Sequence, residues 1–292
     1  MEHLPLKTSG LLPQYQAERP AILAMALKSV RMQTRLPDEL VAVFDGPLPA
    51  ELEDTFHRET ADWAIPITIV RLSQNRGLGI ALQKGIQACR GEYVVRFDSD
   101  DLNRPHRVAE QLSFASAHPQ VDAFGCWIEE FQDQPGDLNR VRETPIENRE
   151  IVNFMRRRNP MNHMTVMMKR SSVTAVGGYL DRPGLEDFYL WFRMACAGMV
   201  MANMPQVLVD ARINEASIYR RRGTRYLARE SDLFLEMLAR GFITRREYFW
   251  NISQRAVLRL APAGLLSRVY QRFLRRPGNR TKVLDPREFY SQ

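Results

Sequence analysis

The stretch of the chain that decides the fold reads GEYVVRFDSDD and spans residues 91–101. Gly91 ends one element, an apolar run of β-forming residues follows, and the run stops at Asp98, Asp100 and Asp101. Open α/β sheets bind their ligands at the carboxyl ends of their strands, and this pattern places the acidic groups there. Clustered carboxylate oxygens suit a hard divalent cation that also takes phosphate oxygens as ligands. The stretch therefore predicts a buried strand that ends at a cation site.

The same acidic residues also have a purely structural interpretation. Asp101 or Asn103 is a candidate N-cap for a helix that begins near Pro105. Asp and Asn favour N-caps because a side-chain oxygen accepts a hydrogen bond from the first helical turn, and proline fits that turn. From this stretch alone, both interpretations stay open.

Composition limits the class of protein. The chain has 292 residues and is 45% hydrophobic, so it can bury the core of one large or two smaller α/β domains. No apolar run is long enough to span a membrane, and the N-terminus lacks a signal-peptide stretch. The three cysteines lie far apart in apolar surroundings, where we expect buried, reduced thiols. These features predict a cytoplasmic protein.

The net charge of +7 is concentrated near the C-terminus. Residues 240–292 contain eleven Arg and one Lys against three acidic residues, a net of +9, which leaves −2 for residues 1–239. A nucleic-acid-binding protein would need arginines interleaved with aromatics over a broad surface, so nucleic acid is not an expected partner. The asymmetry favours one local contact with an anionic partner.

Strand-like and helix-like segments alternate over residues 9–127. This alternation predicts an α/β fold with a mostly parallel sheet, right-handed crossovers and strands buried on both faces. After residue 128 the pattern loosens, and 132–148 is predicted to be a loop. The predicted strands are 9–13, 40–44, 65–72, 93–97, 121–127 and 163–168, and the predicted helices are 20–33, 51–63, 78–90, 104–117 and 186–196.

Short motifs follow one another in a fixed order. They are LLPQYQ at 11–16, QTRLPDE at 33–39, VFDG at 43–46, NRGLG at 75–79, RFDSDD at 96–101, NHMT at 162–165 and LEDFYLW at 185–191. This order resembles family 2 glycosyltransferases of the GT-A fold, especially bacterial enzymes of exopolysaccharide assembly such as the amylovoran type. The resemblance covers roughly residues 9–220. It implies a Rossmann-like GT-A domain over residues 1–222, followed by a helical, Arg-rich extension over 223–292.

The resemblance also implies a nucleotide-sugar donor site. Asp45 would contact the base, since a carboxylate that accepts from a base N–H suits uracil, and Pro13 and Tyr15 would form the adjoining wall. A simple turn at residues 45–47 is the alternative, because Asp and Gly favour turns. The other donor-side residues that the resemblance implies are Asn75, Gly77, Lys84, Arg96, Asp98 and Ser99.

Two of these donor-side residues keep structural alternatives. Lys84 lies on a predicted helix and is equally consistent with a solvated lysine. Arg96 lies within an apolar strand, where its guanidinium needs a carboxylate or phosphate partner. A buried ion pair with a nearby Asp and a ligand contact are both consistent with that position.

By the same resemblance, Asp98 and Asp100 form a D-x-D motif that binds Mg²⁺ or Mn²⁺. Asp100 would be the stronger ligand, and Asp98 would lie nearer the ribose or the water shell of the metal. The cation would neutralise charge on the departing nucleoside diphosphate.

The pair Glu186-Asp187 matches the family's acidic pair. Asp187 would be the general base that removes the acceptor proton, and Glu186 would position acceptor or base. Acidic residues in a first helical turn also complement the helix dipole, so a structural pair is the alternative. His163 and Trp191 would lie on the acceptor side, although a lone histidine is often structural.

One departure from the family affects the predicted metal site. Relatives often carry Arg-x-His-x-x-Ser after the last strand, whereas this chain has Asn214 in place of the histidine. An amide oxygen can ligate a hard cation but lacks the basicity of imidazole, so metal use is less secure. Arg212, Asn214 and Arg221 are candidate diphosphate contacts.

The basic C-terminal region contains a predicted amphipathic helix. Apolar residues at 265, 266, 269, 270, 273 and 274 form one face, and arginines lie mainly on the others. Such a helix suits an anionic membrane surface, while packing on the parent domain is the alternative. The chain lacks the transmembrane helices and Gln-x-x-Arg-Trp signature of processive synthases, which favours single-sugar transfer.

The resulting prediction is an inverting glycosyltransferase, of the hexosyl or N-acetylhexosaminyl class. It would use a UDP-sugar and a lipid-linked saccharide acceptor, and it would work as a peripheral protein at the inner face of the cell membrane. A sugar-nucleotide nucleotidyltransferase is the alternative enzyme. It would need a glycine-rich, basic triphosphate loop near the N-terminus, which residues 10–20 do not supply. A basic nucleic-acid-binding protein is the non-enzymatic alternative.

Overall fold

A computed structural model describes residues 6–213 and 222–260. Within these residues, one sheet contains nine strands in the order β3-β2-β1-β4-β8-β6-β9-β5, with β7 paired to β6. The pairings make β1, β2, β3, β4, β6 and β9 run in one direction, so the predicted mostly parallel α/β sheet is confirmed. The strands are β1 Thr8–Gln14, β2 Glu39–Phe44, β3 Ile67–Arg71, β4 Tyr93–Arg96, β5 Leu102–Asn103, β6 Ala123–Phe131, β7 Arg140–Arg142, β8 Met167–Lys169 and β9 Met201–Arg212.

Helices cover both faces of this sheet. Those described are α1 Pro20–Arg31, α2 Ala50–Thr60, α3 Leu78–Ala88, α4 Arg107–Ala117, α5 Asn148–Met155, α6 Arg170–Ala175, α7 Glu186–Cys196, α8 Thr224–Ala239 and α9 Arg245–Leu260. One hydrophobic core holds side chains of α1, α2 and α4, and the other holds side chains of α3, α7 and α8. No helix within residues 6–213 and 222–260 is long and apolar enough to cross a bilayer.

The parallel pairing determines where the functional side chains can lie. In β1 the register aligns Gln14 with Phe44 of β2, and Leu11 with Arg96 of β4. The segments that follow β1, β2 and β4 therefore leave the sheet at one edge. That edge holds the turn at Asp45 and the acidic residues that begin at Asp98.

Several predicted elements differ from the structure. The predicted loop at 132–148 contains β7, and the predicted strand at 163–168 is a 3₁₀ turn, His163–Thr165, followed by β8. Helices α5 and α6, the two-residue strand β5 and the twelve-residue strand β9 are additional. Of the cysteines expected to be buried, Cys196 is exposed, because it lies at the solvent-facing end of α7. The predicted amphipathic helix near residue 270 lies outside the described residues.

Helix α8 continues the core beyond the predicted domain boundary at residue 222. Leu233, Phe234 and Met237 are almost completely buried, and Phe234 packs edge-to-face against Phe188 of α7 with ring centroids 6.1 Å apart. The first helix of the predicted extension therefore shares a core with the α/β domain.

Candidate active site

Three carboxylates gather directly after β4. Ligand atoms from Asp98, Asp100 and Asp101 all lie within 4.8 Å of one another. The backbone N–H of Arg212, at the end of β9, donates to Asp101 Oδ1 at 2.8 Å. The cluster is therefore held between the end of β4 and the end of β9.

The alternative interpretation of these residues as helix caps is wrong. Helix α4 begins at Arg107, and its first turn is capped by neither residue but by Gln33, whose Oε1 accepts from the backbone N–H of Val108 at 3.0 Å. Asp101 instead accepts the hydrogen bond from Arg212, and the Asn103 side chain contacts Ser29 Oγ at 3.2 Å and the guanidinium of Arg107.

Arg96 pairs with the first carboxylate of the cluster. Its Nε lies 2.8 Å from Asp98 Oδ1, and its Nη2 donates to Asp98 Oδ2 at 3.1 Å. The arginine is only 2% exposed, and its Nη1 has no hydrogen-bond partner within residues 6–213 and 222–260. Of the two interpretations of Arg96, the structure contains the buried ion pair.

The other two carboxylates of the cluster, Asp100 and Asp101, have raised pKa values. Burial, followed by the charge of Asp98, raises the pKa of Asp100 to about 6. Burial, then the charges of Asp100 and Asp98, raises the pKa of Asp101 well above its usual range. A divalent cation relieves this repulsion, and carboxylate oxygens are the ligands that Mg²⁺ and Mn²⁺ prefer. The residues present therefore fit the predicted metal.

Asp45 clamps the loop that precedes α3. Its two carboxylate oxygens accept hydrogen bonds from the backbone N–H groups of Arg76 and Gly77, at 2.7 and 2.9 Å. The neighbouring Gly46 has a φ of 89°, and a Cβ there would lie 2.5 Å from the backbone nitrogen of Asn75. The predicted turn thus exists, and it holds the Asn75–Gly77 loop at the edge of the sheet.

The other predicted donor-side residues occupy different environments. Pro13 is buried in β1, Tyr15 is half-buried just beyond it, and Ser99 is buried inside the carboxylate cluster. Asn75 is exposed on the clamped loop. Lys84 is exposed on α3, about 9 Å along the helix from Leu78, and it lies further from the sheet edge than the others.

Glu186 and Asp187 lie at the start of α7, close to the loop that Asp45 clamps. Asn159 Nδ2 donates to Asp187 Oδ2 at 2.6 Å. Glu186 is 7% exposed, and burial, followed by the charge of Asp187, raises its pKa. A Cβ at Gly79 would lie 3.2 Å from Glu186 Cβ, so the first turns of α3 and α7 touch. This contact brings the acidic pair beside the clamped loop.

His163 lies behind Asp187. Its Nε2 is 2.6 Å from the hydroxyl of Tyr179, and its Nδ1 is 3.7 Å from Asp187 Oδ2. Burial, then the charge of Arg96, holds the His163 pKa well below its usual range. The imidazole is therefore neutral at physiological pH, and its contact with Asp187 is not an ion pair.

Trp191 does not reach the open side of the site. It is completely buried, and its ring packs edge-on against His163 with centroids 6.0 Å apart. The predicted acceptor contact by Trp191 does not fit this placement, because the indole lies one helical turn below Asp187, within the hydrophobic core. Trp191 supports His163 from behind.

Two residues of this site escaped the sequence analysis. Asn159 and Tyr179 come from loops that carry no recognisable motif, and only the fold brings them to Asp187 and His163.

At the other end of the site, Arg212 Nε donates to the backbone oxygen of Asp100 at 3.3 Å, and its guanidinium lies 4.4 Å from the ring centroid of Phe131. Asn214 and Arg221 lie outside the described residues.

The fold and the solved structures it resembles define the class of protein. A mannosyltransferase from Pyrobaculum calidifontis, solved with GDP-Man and Mn²⁺, superposes with a TM-score of 0.58 at 18% identity, covering 91% of this chain and 73% of that one. Together with the sheet order and the acidic cluster at its carboxyl edge, this likeness makes the chain a protein of the GT-A fold.

The chain belongs to glycosyltransferase family 2, and it is a glycosyltransferase. The family's sequence profile, described as "Glycosyl transferase family 2", matches residues 11–176. The amylovoran biosynthesis glycosyltransferase AmsE of Erwinia amylovora is 35% identical over 90% of this chain and 98% of its own length. The UDP-Gal:alpha-D-GlcNAc-diphosphoundecaprenol beta-1,3-galactosyltransferase of Escherichia coli is 32% identical over 92% of this chain and 97% of its own.

Proposed function

We propose that this enzyme transfers one sugar, with inversion, from a UDP-sugar to a lipid-linked saccharide during assembly of a bacterial surface polysaccharide. Two relatives that match it over nearly their whole lengths support this assignment, one named for amylovoran biosynthesis and one for galactosyl transfer to a diphosphoundecaprenol-linked sugar. The observation that carries the proposal is the placement of two acidic groups around Arg96: the carboxylate cluster and the pair Glu186-Asp187. Asp98 of the cluster forms an ion pair with Arg96, and the positive charge of Arg96 also acts on Glu186 and Asp187.

On the donor side, Asp45 holds the loop and still has the capacity to bind a base. Each of its oxygens accepts one backbone N–H, and a carboxylate oxygen can accept a second hydrogen bond. A uracil N–H would complete that capacity. Pro13 and Tyr15 would line the base, and Asn75, Gly77 and Ser99 would face the ribose and phosphates.

The carboxylate cluster would hold Mg²⁺ or Mn²⁺ through Asp100 and Asp98. The bound cation would neutralise the charge of the leaving diphosphate. The protein's own contribution is the division of labour between the two aspartates, because Arg96 already engages both oxygens of Asp98 while Asp100 retains its raised pKa. Arg212, which leans over the same cluster, and Asn214 and Arg221 would contact the diphosphate.

Asp187 would act as the general base toward the acceptor hydroxyl. Asn159 fixes one of its oxygens, which orients the carboxylate. The neutral His163 cannot form an ion pair with Asp187, so no imidazolium charge competes with the acceptor proton for this carboxylate. Glu186 is buried beside it, where burial, followed by the charge of Asp187, raises its pKa, and it would position acceptor or base.

The test is a transfer assay with Asp187→Asn. General-base catalysis is worth about 10²- to 10⁴-fold, so kcat falls by that factor while the Kd for UDP stays at the wild-type value. Asp181→Asn, an exposed acidic residue on the preceding loop, is the matched control and keeps full activity. An Asp187→Asn enzyme with near-normal kcat would remove the base assignment. An Asp181→Asn enzyme that fails equally would indicate a loop effect instead.

The donor and acceptor classes need a separate measurement. A thermal-shift screen of nucleotide sugars, with and without Mn²⁺, identifies the donor. Incubation with a diphosphoundecaprenol-linked saccharide then tests the acceptor. The proposal predicts stabilisation by a UDP-sugar that depends on Mn²⁺, and a product longer by one sugar. Stabilisation by GDP-sugars alone, or release of pyrophosphate, would contradict it.

A further inference from the structure

Helix α9 presents an apolar face to solvent. Eight large hydrophobic side chains are exposed within residues 6–213 and 222–260, and half of them lie on this one helix. At about 100° per residue, the four fall within a sector of roughly 100°. We call them the docking face: Phe249, Trp250, Val257 and Leu260, with exposed fractions of 70%, 63%, 69% and 55%.

The opposite side of α9 already fixes the helix to the protein. Arg255 and Arg259 form ion pairs with the buried Glu230 of α8, at 3.2 and 2.8 Å. Asn251, only 2% exposed, donates to the backbone oxygen of Arg156 at 2.8 Å. The docking face is therefore not needed to hold α9 in place.

Basic side chains border the docking face. A groove of about 660 Å³ beside Phe249 and Trp250 is lined by Arg157, Arg246 and Glu247, and Glu247 is paired with Arg156. Arg158 and Arg245 are exposed nearby. Exposed aromatic rings flanked by arginines suit the boundary between lipid headgroups and acyl chains, where rings insert and guanidinium groups bind phosphates.

The C-terminal half of α9 contacts two segments that lead into the candidate active site. Arg255 Nη2 donates to the backbone oxygen of Arg157 at 2.6 Å, two residues before Asn159, the partner of Asp187. One turn further on, the backbone N–H of Gly223 donates to the backbone oxygen of Arg259, and Tyr226 donates to that of Gly184 just before Glu186. The Arg255 side chain leaves α9 opposite the docking face, so a surface bound to the docking face would lie about one helix diameter, roughly 10 Å, from these segments.

We infer that the docking face binds an anionic lipid bilayer, an inference that builds on the proposed lipid-linked acceptor. The chain's own continuation is the competing occupant, because residues 261–292 also combine apolar and basic residues, with seven basic against two acidic side chains. Packing that continuation onto the docking face would bring like charges together. An anionic bilayer complements both, and a second copy of the chain would repeat the same repulsion.

Brominated lipids test this inference on the full-length protein. Vesicles of phosphatidylcholine, with or without 30% phosphatidylglycerol, are titrated in the absence of any donor sugar. The wild-type protein binds the anionic vesicles, and bromine on the acyl chains quenches its fluorescence. Trp250→Phe keeps an apolar ring and still binds, but most of the quenching is lost, because Trp191 is completely buried and Trp63 and Trp127 are half-buried and lie outside α9.

A variant that introduces two negative charges into the docking face distinguishes between the possible occupants. The Phe249→Glu/Trp250→Glu protein should bind anionic vesicles about tenfold or more weakly. Met25→Glu on α1, across the sheet from α9, is the matched control and binds as wild type. Three results would overturn the inference. The double variant could bind anionic vesicles as tightly as wild type, or the wild-type protein could fail to bind them. The wild-type protein could also form a dimer that dissociates in the double variant.

The outcome is distinguishable from failure of the proposed function. Transfer to a water-soluble acceptor analogue should be unchanged in the double variant, while transfer to an acceptor embedded in vesicles falls with binding. If no sugar is transferred at all, the vesicle titration still decides whether the docking face binds lipid.

Discussion

The Nε atom of Arg96 lies 2.8 Å from Asp98 Oδ1, and the arginine is buried at the end of the otherwise apolar strand β4. A buried guanidinium needs a fixed counter-charge, and Asp98 supplies it through both of its oxygens. Asp98 is therefore partly committed to the protein. At Asp100, two residues further on, burial and the charge of Asp98 raise the pKa, so an external cation would stabilise its charged form.

Arg96→Met should destabilise the fold strongly, because it leaves Asp98 without its partner at a largely buried position. Removing one member of a buried pair costs about 3–5 kcal/mol, measurable by urea denaturation. Arg96→Met/Asp98→Asn removes both charges and should recover part of this loss. If the double variant is no more stable than the single one, the pair is not the source of the effect.

Binding of Mn²⁺ should weaken as the pH falls through about 6. Burial, followed by the charge of Asp98, raises the pKa of Asp100 to about 6, so below that pH the group is mostly neutral and must lose its proton to bind metal. The expected loss is about tenfold in affinity per pH unit below 6. Electron paramagnetic resonance of free Mn²⁺, without nucleotide, measures this directly.

Asp100→Ala is the control for the pH titration. It should bind Mn²⁺ weakly at every pH and show a flatter dependence. A wild-type affinity that stays constant between pH 5 and 7 would show that Asp100 is not the titrating ligand.

Strands β1, β2 and β4 were predictable because they are largely apolar runs buried on both faces. Helix α7 was predicted with the same bounds that it has in the structure, since its apolar residues recur at helical spacing and its acidic pair begins it. By contrast, β7 has only three residues and pairs with the preceding strand β6, and β5 has two residues and pairs with the distant strand β9. Such pairing leaves no local pattern in the sequence.

The same contrast applies to the candidate site. Residues on strand ends and helix starts, such as Asp98 and Asp187, carry local motifs. Asn159 binds Asp187 across 28 residues, and its loop has no distinguishing feature.

The capping box Thr244-x-x-Glu247 was present in the sequence as a start signal for α9, and the structure contains it, with Thr244 N–H donating to Glu247 at 2.8 Å.

Asp45→Asn should weaken UDP binding at least about tenfold and reduce stability by about 1–3 kcal/mol. Both oxygens of Asp45 accept backbone N–H groups, and an asparagine amide can accept only on its oxygen. One partly buried N–H of the Asn75–Gly77 loop then loses its partner. Calorimetry with UDP and urea denaturation measure the two effects.

The two effects of Asp45→Asn also distinguish its two roles. Asp54→Asn, exposed on α2, is the matched control and should change neither quantity. A loss of stability with unchanged UDP affinity would leave Asp45 as a purely structural clamp.

Glu247 should stabilise the attachment of α9 in a pH-dependent manner. Its hydrogen bond from Arg156 is the largest cause that lowers its pKa, from an ordinary 4.5 to about 2. Because the folded-state pKa is depressed, the stabilisation is fully present above pH 4.5 and is lost as the pH falls toward 2.

Glu247→Gln keeps an acceptor for the Thr244 cap but removes the ion pair, so it should cost about 1 kcal/mol at pH 7, in line with a largely exposed pair. Urea denaturation across this range should show the gap to wild type narrow below pH 4.5, and a gap that stays constant down to pH 3 would contradict the assignment. Glu247→Ala removes the cap as well, and should keep a residual deficit at low pH.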